Sequence, residues 1–298
     1  MKENTVPLVS VLVPVYNVEK YIGRCLNSLF SNTIAKKCEF IIVDDCSPDG
    51  SMDIVRKIIS EFPAVAGNVV LRSHDFNRGS AAARNTALLQ AHGKYIICVD
   101  SDDWVEPNYL ECLSLEAERS GADIVGCNLI REEQRGAIQK ELIFPELEDC
   151  VPQLLTGKLQ GWLWQKMFRR SLITEHNIEW VDGLDMCEDL LFSIKVFSHA
   201  KKISFVPEYL YHYNCQNQNS LTSNLSDKKI QQILDVNEKV EEFLVINGQI
   251  DEYKDELLQR KAFTKIWCCL DANKIRRKYF KMYITKQNRG GYYTKLMG

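Results

Sequence analysis

The 298-residue sequence lacks long apolar runs and has few prolines. No apolar stretch approaches the roughly 20 residues that a helix needs to cross a bilayer, so no transmembrane helix is predicted. The first residues, MKENTVPLVS, lack the apolar core of a secretory signal peptide, and we therefore expect the chain to stay in the cytoplasm. With 45% hydrophobic and 26% charged residues, the composition is typical of a soluble globular protein with a sizeable core.

Paired cysteine motifs are also missing. The chain has 11 cysteines, an odd number, and it contains no C-x-x-C pair and no zinc-ligand spacing. Several lie inside apolar runs, among them Cys98, Cys127, Cys268 and Cys269. The pattern predicts reduced cysteines in the core rather than disulfides or a metal site.

Charge is unevenly distributed along the chain. The net charge is −3, but residues 271–298 contain eight Lys or Arg and one Asp, so this segment has charge +7 and the remainder −10. Aromatic residues lie among these cations: Tyr279, Phe280, Tyr283, Tyr292 and Tyr293. Basic residues interleaved with aromatics favour an anionic membrane surface. A solvated helix face packed on the acidic body is the alternative, whereas the acidic body disfavours nucleic acid.

The first 130 residues alternate between strand and helix patterns. Short β-branched runs predict strands at 8–15, 40–45, 68–73, 94–100 and 123–129. Apolar residues at helical spacing predict helices at 18–32, 49–62, 79–92 and 107–121. This order predicts an α/β fold, Rossmann-like, with a mostly parallel sheet covered by helices on both faces.

The second part of the chain is less regular. Residues 131–160 are polar and predict a connection with a short helix. The segments that follow predict a loop and helix at 162–173, a helix at 187–200 and a strand at 203–213. From about residue 225 the pattern is helical, which indicates a C-terminal helical appendage.

Residues that suggest a ligand site lie at the ends of three strands of the predicted sheet. They are Pro14, Tyr16 and Asn17 after the first strand, Asp44 and Asp45 after the second, and Asp100, Asp102 and Asp103 after the fourth. Ligands of open α/β sheets bind beyond these carboxyl ends. Clustered carboxylates raise one another's pKa unless a cation is present. We therefore predict Mg²⁺ or Mn²⁺ completed by substrate phosphate oxygens. The alternative is that these residues form solvated turns or helix caps, Asp103 in particular.

Five ordered stretches carry a resemblance to a known family. They are VSVLVPVYNVEKYIGRCLNSL, EFIIVDDCSPDGS, NRGSAAARNTAL, GKYIICVDSDDWVEP and CEDLLF. Together, over about residues 7–215, they resemble a family 2 glycosyltransferase of the GT-A fold, bacterial type. The resemblance implies a catalytic domain at 1–218, with a nucleotide-sugar half at about 1–130 and an acceptor half at about 131–218. Residues 219–298 would form the helical region with the basic tail.

The resemblance also implies roles for single residues. Pro14, Tyr16 and Asn17 with Asp45, and Asp44 beside it, would hold the nucleotide base. Asn77 and Arg84 lie in the segment that would line the nucleotide-sugar site. In the D-x-D motif Asp100, Ser101 and Asp102, the first aspartate would lie near ribose, sugar and metal, and Asp102 would bind the metal on the diphosphate. Members usually have Gly where this chain has Cys46.

Further positions are implied on the acceptor side. Asp189 resembles the catalytic base of inverting members, with Glu188 orienting or binding the acceptor; the alternative is that both only stabilise the start of their helix. Trp164 and Lys166 would line a pocket, or the tryptophan would be core. Asp103 is a further pocket candidate. His212 would reach metal or diphosphate, or be a packed residue.

The implied activity is an inverting, metal-dependent transfer of sugar from a nucleoside diphosphate sugar, UDP-linked, to a hydroxyl of a saccharide or lipid-linked saccharide acceptor. Cell-surface polysaccharide synthesis and a peripheral place on the inner face of the plasma membrane fit this activity. The rivals are a nucleotidyltransferase, which would need a glycine-rich phosphate loop where this chain has PVYNVEKY, and a non-catalytic nucleotide-sugar-binding protein.

Overall fold

The computed structural model describes residues 6–140, 144–217 and 226–270, with side chains up to residue 266. Contacts divide the chain into two compact units, Met1–Ser223 and Asn224–Gly298. The basic aromatic segment 271–298, on which the membrane prediction rests, lies outside the described residues. Among the described residues, no helix is both long and apolar enough to cross a bilayer.

The elements of the first unit alternate as the sequence predicts in its first 130 residues. Strands are β1 (Val9–Val15), β2 (Cys38–Asp44), β3 (Val69–Ser73), β4 (Tyr95–Cys98), β5 (Trp104–Val105), β6 (Ile124–Glu133), β7 (Gly136–Lys140), β8 (Lys166–Arg169) and β9 (Ile203–Asn214). Helices are α1 (Ile22–Phe30), α2 (Ser51–Glu61), α3 (Pro63–Ala66), α4 (Ser80–Leu88), α5 (Tyr109–Ser120), α6 (Leu147–Thr156), α7 (Arg170–Glu175) and α8 (Glu188–His199), with a 3₁₀ turn at Ala35–Lys37.

The strands form one sheet in the order β3-β2-β1-β4-β8-β6-β9-β5, and β7 pairs with β6. The first four run parallel, because each is joined to the next by a crossover that contains a helix. β1 lies between β2 and β4, with Val15 opposite Asp44 and Leu12 opposite Cys98. The carboxyl ends of these three strands therefore meet at one edge of the sheet, as predicted.

Three parts of the sheet were not predicted. The two-residue strand β5, which pairs antiparallel with β9, lies where no strand was expected. The segment 162–173 contains β8, which lies antiparallel between β4 and β6, where a loop was expected. The strand escaped prediction because its four residues are too few to show a period. Residues 131–140 were expected to be an irregular connection, but they extend β6 and form the hairpin strand β7. All of β7 is exposed, so its sequence has no apolar alternation to reveal it.

Burial follows the predicted pattern on the helices. Ile22, Cys25, Leu26 and Leu29 form the buried face of α1. On α4 the small residues Ala81, Ala82 and Ala83 are buried, which lets this helix approach β1 and β2 closely. All cysteines whose side chains are described are free, and Cys25, Cys38, Cys98, Cys127 and Cys150 are buried.

The second unit contains α9 (Asp227–Ile246) and α10 (Lys254–Leu270), which pack against each other. The hydroxyl of Ser226 accepts a hydrogen bond from the Lys229 amide and caps α9. Ile233, Val236, Val240 and Leu244 give α9 a buried face at helical spacing.

Candidate active site

The residues after β1 and β2 lie at the shared sheet edge. The amide of Asp45 donates to the Val15 carbonyl at 2.9 Å, so the two strand ends stay joined. Tyr16 is 46% exposed and its ring is free to stack on a ligand, and Pro14 is half-buried. Asn17 is exposed and has φ 54°, a left-handed conformation that asparagine tolerates. Where the family has Gly, Cys46 also has a positive φ of 60°, so the departure keeps the turn.

Asp45 has a different environment from the one expected. Its carboxylate accepts hydrogen bonds from the amides of Arg78 (2.8 Å) and Gly79 (2.7 Å) and contacts His74 Nδ1 at 2.6 Å. The residue is only 2% exposed. Its side chain therefore fixes the loop before α4, and its predicted contact with a nucleotide base stays a prediction. Asp44, which is half-buried and accepts from the Ser47 amide at 2.8 Å, is the more accessible carboxylate of the pair.

Arg84 is the centre of a buried charge cluster. Its guanidinium donates to Glu188 Oε1 at 2.7 Å and to Asp100 Oδ1 at 3.0 Å, and it lies 3.4 Å from Asp189 Oδ1. The arginine is 5% exposed. Arg84 thus joins the D-x-D segment to the start of α8, and its predicted place at the nucleotide-sugar site stays a prediction. Asn77, on the loop before α4, is exposed.

Glu188 and Asp189 differ in their hydrogen bonds. Glu188 Oε1 accepts from Arg84 and from the Ser80 hydroxyl at 3.1 Å, and the residue is buried. Asp189 Oδ1 accepts no hydrogen bond from any described residue, and the side chain is 20% exposed. Both residues do occupy the first turn of α8, where the helix dipole favours carboxylates. Asp189 is therefore the more exposed and the less hydrogen-bonded member of the pair.

Burial, and then a nearby negative charge, raises the pKa of both carboxyls: Asp189 repels Glu188, and Asp100 repels Asp189. Burial is the larger cause for Glu188, and the charge of Asp189 adds to it, bringing its pKa to about 8. Burial also raises the pKa of Asp189, to about 6, against the opposing charge of Arg84. A carboxylate with a raised pKa is a better proton acceptor near neutral pH.

The D-x-D segment follows β4. Burial, and then the negative charge of Asp100, raises the pKa of Asp102, and Asn217 Nδ2 donates to this carboxylate at 2.7 Å. Ser101 is buried at 7% exposure. Asp103 is fully buried: it accepts from the Tyr211 hydroxyl (2.6 Å) and the Asn214 amide (2.7 Å). Asp103 therefore ties the segment to β9, and it is neither a pocket residue nor a helix cap.

The side chains fit a hard divalent cation. Asp100 and Asp102 would supply carboxylate oxygens, and the pKa of Asp102 is raised by burial and then by the negative charge of Asp100, which a cation would offset. Among the described residues no three His, Cys, Asp or Glu side chains are arranged as a complete ligand set. A site of this kind is completed by oxygens of a bound phosphate.

Sequence reasoning missed Asp185. Its carboxylate accepts from the Ala81 amide (3.2 Å) and the Ser80 hydroxyl (3.4 Å) at the start of α4. It also lies against Gly79, where a Cβ would overlap it, and Gly79 has φ 93°. Asp185 thus fixes the segment before α8 to α4, three residues ahead of Glu188. No local sequence pattern indicates this long-range contact.

We predict that Gly79→Ala and Asp185→Ala are energetically coupled. Gly79→Ala should lower the free energy of unfolding by about 2 kcal/mol through strain and overlap, and Asp185→Ala by about 1 kcal/mol through the lost cap. In the double variant the overlap is gone, so the loss should be smaller than the sum by about 0.5 kcal/mol or more. Urea unfolding of the four proteins measures this. Strict additivity would show that Asp185 does not contact Gly79.

The remaining predicted pocket residues are less accessible than expected. Trp164 is 3% exposed and stacks on Tyr211 at 4.5 Å, so it is core. Lys166 is fully buried, and burial lowers its pKa to about 7. Both ring nitrogens of His212 contact glutamates, Glu106 and Glu132, each at 2.8 Å. His212 is therefore held by two glutamates, and its predicted contact with metal or diphosphate stays a prediction.

A cavity of about 420 Å³ lies beside α4, at residues 179–182. It is lined by Arg78, Ala82, Asn85, Thr86, Leu88, Leu89, Glu179, Trp180 and Asp182. None of these residues belongs to the carboxylate cluster. The predicted chemistry is therefore at the sheet edge and not in this cavity.

The chain is similar in sequence and in fold to known proteins. Residues 10–174 match the family described as Glycosyl transferase family 2. EpsH of Bacillus subtilis, named as a glycosyltransferase, is 34% identical over 262 residues, which span 84% of this chain and 73% of EpsH. The poly(ribitol-phosphate) beta-N-acetylglucosaminyltransferase TarS of Staphylococcus aureus is 28% identical over 84% of this chain and 42% of its own length.

Solved structures agree with the sequence relatives. Residues 1–349 of Staphylococcus aureus TarS, in complex with UDP-GlcNAc, match with TM-score 0.66 and 25% identity over 78% of this chain and 66% of that chain. The mannosyltransferase PcManGT of Pyrobaculum calidifontis shares the fold alone, with TM-score 0.57 and 16% identity over 95% of this chain and 81% of that chain. The GT-A fold implied by the sequence is confirmed, and with it the enzyme class: the chain belongs to glycosyltransferase family 2.

Proposed function

We propose that this glycosyltransferase is inverting and metal-dependent, and that it moves a sugar from a UDP-sugar to a hydroxyl of a saccharide or lipid-linked saccharide acceptor. The single observation that supports the mechanism most is the state of Asp189. Its Oδ1 is buried, accepts no hydrogen bond among the described residues and lies 3.4 Å from Arg84, whereas the side chain as a whole is 20% exposed; Glu188 Oε1 already accepts from Arg84 and Ser80.

The reaction requires a base on the acceptor side. The acceptor hydroxyl attacks the anomeric carbon and must lose its proton as the new bond forms, and the nucleoside diphosphate leaves from the opposite face of the sugar. Asp189 accepts this proton in the proposal, helped by its raised pKa. Glu188 and Arg84 hold the base in place through the 2.7 Å bond between them. Inversion at the anomeric carbon follows from this single displacement.

The donor side uses the sheet edge. Tyr16 would stack on the base, Asp44 would accept its N–H, and the D-x-D segment would lie at the diphosphate. Asp102, with Asp100, would hold Mg²⁺ or Mn²⁺, which supplies positive charge to the leaving diphosphate when bound. The relative TarS, solved with UDP-GlcNAc, supports a UDP-linked donor. The names of relatives that act on poly(ribitol-phosphate) support a cell-surface polymer as the acceptor class.

The cellular place of the reaction follows from the same proposal. A lipid-linked acceptor would bring the enzyme to the inner face of the plasma membrane, and the basic aromatic residues 271–298 favour that surface. Neither rival function has equal support. A nucleotidyltransferase would need glycines after the first strand, and a non-catalytic protein would have no need of a buried, unsaturated Asp189.

Product stereochemistry tests the proposal. We expect transfer from a UDP-sugar with an α-linked donor to give a β-linked product, read from the anomeric proton coupling in the NMR spectrum, and we expect EDTA to abolish turnover. Added Mg²⁺ or Mn²⁺ should restore it. A retained α-linkage would exclude the single-displacement role of Asp189, and undiminished turnover in EDTA would exclude metal dependence.

A further inference from the structure

Four aromatic rings form a cluster beside the candidate active site. Trp162 is nearly parallel to Trp164, with ring centroids 5.2 Å apart and 14° between the planes. Trp164 is nearly parallel to Tyr213 (5.4 Å, 8°) and to Tyr211 (4.5 Å, 17°). Rings stacked in this way cover one another's faces, so the outermost ring is the one that has a face left for a ligand.

Trp162 is the solvent-facing ring of this cluster. It is 37% exposed, whereas Trp164 is 3% exposed and Tyr211 is fully buried. Water therefore reaches Trp162, and in part the half-buried Tyr213, while Trp164 and Tyr211 lie in the core. A large aromatic side chain left exposed beside a polar site is a typical ligand contact.

The loop that presents Trp162 is held by unusual contacts. The buried ammonium of Lys166 donates to the carbonyls of Gln160 (2.9 Å) and Trp162 (2.5 Å). Burial of a lysine ammonium costs free energy. Here its hydrogen bonds go to the carbonyls of the two residues that flank Gly161. The buried Lys166 side chain thus fixes the conformation of the short loop at 160–162.

The same loop is joined to the catalytic helix. The Ser193 hydroxyl of α8 donates to the Gly161 carbonyl at 2.8 Å. A Cβ at Gly161 would lie 2.7 Å from the Cα of Leu190, so only glycine permits this approach. Leu190 directly follows Asp189. Gly161, which precedes Trp162, therefore lies against α8 at the residue that follows the proposed base.

The other side of the cluster contacts the D-x-D segment. The Tyr211 hydroxyl donates to Asp103 Oδ2 at 2.6 Å and also accepts from the Asp100 amide at 3.2 Å. The aromatic cluster thus lies between the diphosphate end of the site and α8. An acceptor must reach this region to attack the anomeric carbon.

We propose that Trp162 is an acceptor subsite that binds one pyranose ring of a saccharide through the apolar C–H face of the sugar. This inference rests on the proposed function, since the loop that presents Trp162 contacts α8 at Leu190, the residue after the base of that reaction. A flat indole matches the C–H face of a pyranose, and an open-chain alditol offers no such face. The subsite selects acceptors whose reacting unit is a ring or is linked to one.

Saturation-transfer NMR on the full chain with UDP and Mg²⁺ tests this inference. The probes are octyl β-D-glucopyranoside, methyl β-D-galactopyranoside and the alditol sorbitol. We expect wild-type protein and Trp162→Phe to saturate ring protons of the pyranosides, and Trp162→Ala to reduce that signal about fivefold. Sorbitol should give no signal. Leu115→Ala is the matched control, because Leu115 is also exposed, at 62%, on the separate helix α5.

Each contrary result overturns the inference. Equal ring saturation in Trp162→Ala and wild type excludes Trp162, and so does the absence of any pyranoside signal in wild type. Saturation of the octyl chain alone identifies a lipid contact instead. Circular dichroism checks folding, and Trp162→Leu replaces the alanine variant if that one does not fold. UDP release is measured separately, so a pyranoside signal without turnover contradicts the proposed function and leaves the subsite intact.

Discussion

Replacing Asp189 with Asn is expected to lower kcat for sugar transfer by about 10²–10⁴-fold, the range that a lost general base produces. The asparagine keeps the shape of the side chain and its place beside Arg84, but it cannot accept the proton of the acceptor hydroxyl. The Kd for UDP should change little, because the base acts on the acceptor side. Initial rates of transfer and a UDP titration on the same protein measure the two quantities.

Two variants serve as controls for Asp189→Asn. Asp182→Asn changes an exposed aspartate of the preceding segment, which pairs with Arg78 at 2.8 Å, and should leave kcat within about twofold. Glu188→Gln alters a side chain that accepts hydrogen bonds from Arg84 and Ser80 and whose raised pKa leaves it largely uncharged near neutral pH, so its effect should be smaller than that of Asp189→Asn. If Asp189→Asn transfers sugar within tenfold of wild type while Glu188→Gln is inactive, the roles of the two residues are reversed.

Replacing Asp102 with Asn is expected to have the second large effect, a loss of transfer of about 10²-fold or more. The change removes a carboxylate whose pKa is raised by burial and by Asp100, so the folded protein should tolerate it well. What it loses is the negative charge that would hold a cation against the diphosphate. Thermal unfolding should therefore occur at an unchanged or higher temperature while activity falls, a combination that separates a functional role from a structural one.

Asp53→Asn is the matched control for Asp102→Asn. Asp53 lies in the first turn of α2, with its side chain 87% exposed, and pairs only with Arg56 at the surface. Its loss should leave both activity and stability nearly unchanged. Full activity of Asp102→Asn would exclude this residue from the donor site.

The edge of the sheet was predictable because it depends on local pattern. β1, β2 and β4 are buried β-branched runs, and each ends in polar residues, so the parallel topology brings Asp44 and Asp100 to one edge without further information. The D-x-D segment and the Glu188–Asp189 pair were identified in the same way, as motifs in the right order. The tight backbone contact between Val15 and Asp45 follows from that topology.

The contacts that connect these motifs were not predictable, because they are long-range and made by side chains. Nothing near Arg84 in the sequence indicates that it joins Glu188, 104 residues away, to Asp100. The same holds for Asp185 against Gly79 and for Lys166 against the loop at 160–162. Asp45 and Asp103 were predicted to contact a ligand because they are carboxylates that follow a strand. In the structure both accept hydrogen bonds from backbone amides that are distant in the sequence. Residue type identified the chemistry, and packing decided which carboxylates remain accessible.

The charge balance of the cluster explains why one arginine is buried there. Arg84 faces Asp100, Glu188 and Asp189 together, so one cation is set against three carboxylates. The raised pKa values of Glu188 and Asp189 are the consequence of that imbalance, together with burial. Asp102 adds further negative charge on the D-x-D side. The site as built therefore favours additional positive charge, which a divalent cation and its bound diphosphate would bring.

Calorimetric titration with UDP, with and without Mn²⁺, tests this account most directly. If the carboxylates at the sheet edge hold a cation for the donor diphosphate, wild-type protein should bind UDP at least about tenfold more tightly with Mn²⁺ than in EDTA, and Asp102→Asn should lose that difference. Equal affinity for UDP in both conditions, or a metal effect that survives in Asp102→Asn, would contradict it.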